Sequence, residues 1–132
     1  MRLAFANEPF QGIAAAHDCL ECDELRHFLE GKSWRDLDEE ALWEVELPLL
    51  TPDAYHAFLP AWLWHGLHYP ESAHAGMALI NMEATENVAA FNSRERDLVV
   101  RCAQFIHRND PFASQDQESV ERLRHIEVRW AL

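Results

Sequence analysis

Glycine is scarce in this chain, four in 132 residues, and that scarcity removes a group of functions at the outset. Phosphate-cradling loops, dinucleotide fingerprints, EF-hand loops and nucleophile elbows all need glycine at fixed positions, and none of their patterns occurs. Cysteine is scarcer still. Three thiols, an odd number, cannot close a disulfide framework, which agrees with a reducing compartment. Long apolar runs are missing as well: no stretch of 18 apolar residues exists, and Met1 to Gly12 lacks the hydrophobic segment of a signal peptide. The sequence therefore predicts a cytoplasmic protein that does not enter a membrane. Basic side chains are few, 11 Lys and Arg against 23 Asp and Glu, for a net charge of −12. Such a surface repels phosphates, so it disfavours direct binding to nucleic acid or to an anionic membrane.

The acidic excess is unevenly distributed. Met1 to Ser93 carries 16 acidic and 4 basic side chains, whereas Arg94 to Leu132 carries 7 of each. Asp36, Asp38, Glu39, Glu40, Glu44, Glu46 and Asp53 follow one another with no Lys or Arg between them. An acidic face of this kind either solubilises the chain or steers a basic partner toward it.

What is present is a core. With 48% hydrophobic residues, five tryptophans and seven phenylalanines, residues 1–132 are expected to form one domain that buries about two thirds of its unfolded surface. The periodicity is helical nearly throughout. Leu25, Phe28 and Leu29 share one face of a segment from Asp23 to Glu30, with Gly31 as its stop. Ser33 with Asp36 reads as the cap of a helix running through Trp34, Leu37, Ala41, Leu42 and Val45, broken at Pro48. Thr51-Pro52-Asp53 is the clearest start signal, opening a central helix whose stripe is Tyr55, Phe58, Leu59, Trp62 and Leu63. Pro60 predicts a kink or a break in it. A further helix is expected over Glu71–Met82 with Ala73, Met77 and Ile80 inward. Another is capped by Asn92 and Glu95, with Leu98, Val99, Cys102, Ala103, Phe105 and Ile106 as its apolar face. A last one starts at Ser114 with Gln117. Ile126, Val128, Trp130 and Leu132 alternate as a strand would, but no second strand offers to pair, so helix is expected there too. The fold class is all-α, a compact single-domain bundle of five or six short helices.

Three marks together resemble an uncharacterised family of small bacterial helical domains: His17-x-Cys19-x-Glu21-Cys22, Gly31-x-x-Trp34-x-x-Leu37, and Leu50-Thr51-Pro52-x-Ala54 leading to Leu59-Pro60-Ala61. The resemblance covers about half the chain in scattered pieces. It implies a small helical protein and carries no established activity or catalytic residues.

Chemistry-bearing residues gather at two places. His17, Cys19 and Cys22 supply three zinc-type ligands within six residues, and His27, Cys102, His107 or an acid would have to complete a four-ligand site. Redox chemistry is disfavoured, because Asp18, Glu21, Asp23 and Glu24 surround the thiols with negative charge. The competing reading makes Cys19 and Cys22 small packing residues at a helix entrance. His65-x-x-His68 with His74 lacks the Glu of a metallohydrolase helix and reads, with His56, as exposed polar histidines. Trp62 and Trp64 lie about 160° apart on a helix, so both cannot face one core. Trp64 and Trp43 are then either interface anchors or second buried faces.

Two functions from different classes follow. The leading one is a non-enzymatic acidic binding protein that occupies a basic surface on a protein partner, as an immunity or inhibitor protein masks a toxin, with Asp38, Glu39, Trp43 and Glu46 at the contact. The alternative is a small zinc-binding or metal-dependent protein centred on His17, Cys19 and Cys22. No residue pattern argues for an enzyme.

Overall fold

The computed structural model describes Phe5, residues 8–15 and residues 19–131. Six α-helices carry the fold, and no strand is present among the described residues. Helix α1 spans Leu20–Leu29; it opens where the Cys19 Sγ accepts from the Cys22 amide at 3.3 Å. It closes near Gly31, whose φ of 72° is the left-handed geometry that only glycine adopts without strain.

The next segment departs from the expected single helix. The Asp36 carboxylate does accept from the Ser33 amide, at 2.8 Å, but the result is one 3-10 turn, Trp34–Asp36. Leu37 is extended, and Asp38 starts again as the N-cap of the five-residue helix α2, Glu39–Trp43, accepting from the Ala41 amide at 2.9 Å. Two competing caps five residues apart split the segment, because each side-chain acceptor fixes its own residue outside the helix. A second 3-10 turn, Leu47–Leu49, contains Pro48.

Thr51 caps helix α3, Pro52–His68, accepting from the Ala54 amide at 3.3 Å, as its sequence predicts. The break expected at Pro60 does not occur: the helix runs unbroken through it for 17 residues. Pro60 removes one backbone bond, but Phe58, Leu59, Pro60, Ala61, Trp62 and Leu63 are all buried, and packing on every side holds the helix together.

Helix α4, Ala73–Ala84, starts at Ser72 and turns a different face inward from the expected one. His74, Ala75, Ala78 and Met82 are buried, whereas Ala73, Met77 and Ile80 face solvent. Helix α5, Ser93–Asn109, has the reciprocal cap its sequence predicts, Asn92 with Glu95. Its buried face is Val99, Cys102, Ala103 and Ile106; Phe105 stays partly exposed. Helix α6, Gln117–Trp130, is capped by Asp116 rather than Ser114, with Asp116 accepting from Ser119 at 3.0 Å. Its C-terminal end is helical, and the alternating residues there divide between core (Ile126, Trp130) and solvent (Val128).

α3 lies at the centre against α4 and α5, and α6 closes the bundle across α4 and α5. The N-terminal arm crosses α3's entrance, where the Thr51 amide donates to the Ala14 carbonyl at 2.9 Å and Ala15 bridges Leu50. α1 and the α2 region line a common groove.

Candidate functional site

α1 and the α2 region bound a groove lined by four acidic side chains. α1 contributes Glu21, Glu24, Leu25 and Phe28, at spacings that place them on one face, with His27 at the edge. Trp43 ends α2, Glu44 is its C-cap, and Glu46 and Leu49 follow. The cavity between them has a volume of about 500 Å³, with Leu25 and the half-buried Phe28 and Leu49 at its apolar base. Trp43 is 59% exposed, unusual for so large a ring, and its other side rests on the buried His74 ring, centroids 4.2 Å apart.

Four carboxylates, those of Glu21, Glu24, Glu44 and Glu46, line this groove, and among the described residues no cation pairs with any of them. Repulsion between neighbours such as Glu21 and Glu24, or Glu40 and Glu44, is therefore unrelieved. A guanidinium or ammonium laid on Trp43 would meet the ring's negative face and several carboxylates together. At the groove's margin the chain makes a contact of that kind with its own groups: Lys32 Nζ sits 4.0 Å from the centroid of the Phe28 ring.

Of the four residues expected at a contact, Trp43 and Glu46 belong to this groove. Asp38 is occupied as the α2 cap, and Glu39 sits at the opposite end of α2, where it lines a different cavity with His65, His68, Tyr69 and Glu71. Glu21, Glu24 and Glu44 complete the groove and are not singled out by the sequence; the regular spacing of Glu21, Glu24 and Phe28 on α1 is the signal that marks them.

The cysteines part company. Cys22 is completely buried, while Cys19 is exposed and serves as the α1 cap. His17 lies outside the described residues, and among those described no group of three or more His, Cys, Asp or Glu is arranged to hold a metal. Zinc at Cys19 and Cys22 would require Cys22 to turn out of the core. Cys102 is also buried, which pushes its thiol up to about 11. The three thiols should therefore separate by reactivity. Iodoacetamide at about pH 8 is expected to alkylate Cys19 readily in the folded protein and to spare Cys22 and Cys102 until denaturant is added. Mass spectrometry of the native digest checks this, and prompt labelling of Cys22 would overturn its placement in the core.

His68 is exposed as expected, but His65, His56 and His74 are covered to different degrees. His74 is 2% exposed, and His56 is half-buried with its Nε2 2.8 Å from the Glu95 carboxylate. Trp64 also gains cover, from Trp34 at 6.1 Å and His68 at 4.8 Å between centroids. Trp43 is thus much the more exposed of the two candidate anchors. No helix among the described residues is long and apolar enough to cross a membrane. No family model matches the chain, and no curated protein or solved structure shows significant similarity to it.

Proposed function

We propose that this chain is a non-enzymatic binding protein whose groove between α1 and α2 receives a basic segment of another protein and masks it, in the manner of an immunity or inhibitor protein. The observation that carries this reading is the meeting of a largely exposed Trp43 with four carboxylates that have no cationic partner among the described residues. Aromatic anchors ringed by charge are where interface energy concentrates. The charges supply association rate and exclude acidic partners, and the ring supplies the desolvated contact.

A synthetic arginine-rich peptide tests it by calorimetry and stopped flow. Trp43→Ala is expected to weaken binding by at least about 2 kcal/mol. The double variant Glu44→Lys with Glu46→Lys is expected to slow association and to flatten its dependence on salt, because screening acts over about 10 Å at 0.1 M. Asp38 is left intact, since removing its cap would cost α2 about 1 kcal/mol and confuse binding with folding. Equal affinity and equal association rate for wild type and both variants would reduce the acidic groove to a solubilising surface.

A further inference from the structure

Two imidazoles stand directly behind the groove. His74, on α4, donates from Nε2 to the Glu39 carbonyl, 3.1 Å away, at the start of α2. Its ring lies 4.2 Å from that of Trp43 at the end of α2. One buried side chain therefore touches both ends of a five-residue helix that is too short to persist by itself. The Nε2 donor role leaves Nδ1 as a bare acceptor, buried with no hydrogen-bond partner. His65, on α3, stands edge-on to His74 with centroids 5.1 Å apart, and its Nε2 is likewise buried and unpartnered.

The surroundings offer little to accept a second proton. From α2 the pair faces Glu39 and Trp43, and from α3 His68 and Tyr69; Glu71, in the turn after α3, lines the same cavity. α4 has no charged side chain between Ala73 and Met82 other than His74 itself. From α5 the side chain that reaches Gly66 and Ala75 here is the apolar Ile106. Burial, together with the neighbouring His74 and His68, holds His65 below its ordinary value of 6.5, and the Glu39 carboxylate opposes only part of that. With the folded value depressed, the unfolded chain binds protons first. Stability from His65 is present above 6.5 and is lost as pH falls through that value toward the folded one.

We propose that His65 drives a proton-dependent release of the groove: proton uptake at His65, against His74, detaches α2 from α3 and α4, carrying Trp43 and Glu44 out of position so that a basic partner held at neutral pH is let go in mild acid. This rests on the groove's taking a basic segment. A protonated ring at this place has an N–H without an acceptor and a positive charge beside a second imidazole. Opening α2 brings both rings to water. The cost is the His74 bond to the Glu39 carbonyl and the tilted ring contact of His74 with Trp43, the two contacts that seat α2. The same positive charge also repels a cation lying in the adjoining groove.

NMR of the full chain without any partner decides the switch. The amides of residues 39–45 and the Trp43 indole are expected to shift with the same midpoint as the His65 imidazole, below 6.5. Binding of the arginine-rich peptide is expected to weaken at least about fivefold between about pH 7.5 and about pH 5.5, the lower end of ordinary coupling between two sites. In His65→Leu, shown to be folded by circular dichroism, most of that pH dependence is expected to vanish. α2 signals that stay still while His65 titrates would overturn the proposal, as would release of the peptide from His65→Leu over the same pH range. Failure of the wild type to bind the peptide at pH 7.5 would instead sink the groove reading, because the α2 signals judge the switch with no peptide present.

Discussion

Trp130→Ala is expected to lower stability by about 3–5 kcal/mol, the range for deleting a buried large aromatic. Trp130 is 1% exposed at the end of α6, and its indole Nε1 donates to the Met82 carbonyl, 3.0 Å away near the end of α4. The same ring packs edge-on to Phe91, which in turn meets Tyr55 of α3, at centroid distances of 5.0 and 6.0 Å. One side chain thus joins α6 to α4 and, through Phe91, to α3. Truncation opens a cavity in that junction and leaves the Met82 carbonyl buried without its donor. Trp130→Phe separates the two losses, since it keeps most of the volume and forfeits the hydrogen bond, worth about 1 kcal/mol. Urea denaturation of both variants checks this. A cost near 1 kcal/mol for alanine would mean that α6 collapses into the space and that the junction is less closely packed than described.

The second large effect is expected at Gly66. A Cβ built there would lie 2.6 Å from Ile106 Cδ1 and 3.3 Å from the Cβ of Ala75. The absence of a side chain is what allows α3, α4 and α5 to approach at this point. Gly66→Ala sets a helix-propensity gain of about 1 kcal/mol against displacement of a fully buried isoleucine, so it should change stability little. Gly66→Leu adds three more carbons where the first is already too close, and should cost about 3 kcal/mol. Thermal melts of the two variants give the contrast. A leucine variant as stable as wild type would show that the three helices separate easily there.

Helix starts were legible in the sequence where a single local signal acted alone. Thr51 with Pro52, and Asn92 with Glu95, each satisfy orphan amides at the point they mark. Between Ser33 and Val45 two signals competed. Asp38 read as one more acid on a helical face, whereas its carboxylate is the cap that divides the segment. The facing of α4 was illegible for another reason: Ala, Gly, Met, Leu and Ile surround that helix on every side, so periodicity gives no direction. What settles it is the bond from His74 to the Glu39 carbonyl, a contact 35 residues away in sequence. The groove was legible in part. Trp43 and Glu46 stood out in an acid run, but Glu21 and Glu24 reach the same place only because the arm and the Leu47–Leu49 turn bring α1 beside α2.

The four longest helices follow one another from Pro52 onward; α5 also returns to α3 and α6 to α4, but α3 packs on α4 and α5 on α6 as direct neighbours in sequence. Contacts of this kind close short loops and form early. The arm is different. Its tie from the Thr51 hydroxyl to the Ile13 carbonyl, and the adjoining bridge from Ala15 to Leu50, must bring together parts of the chain separated by more than thirty residues, with α1, α2 and two short 3-10 turns between them. In kinetic terms two long closures, this one and the return of α6 to α4, whose Trp130 reaches Met82 48 residues back, follow the short-loop contacts. The acidic groove, lined only by residues 21–49, lies within the segment that the first of these closures encloses.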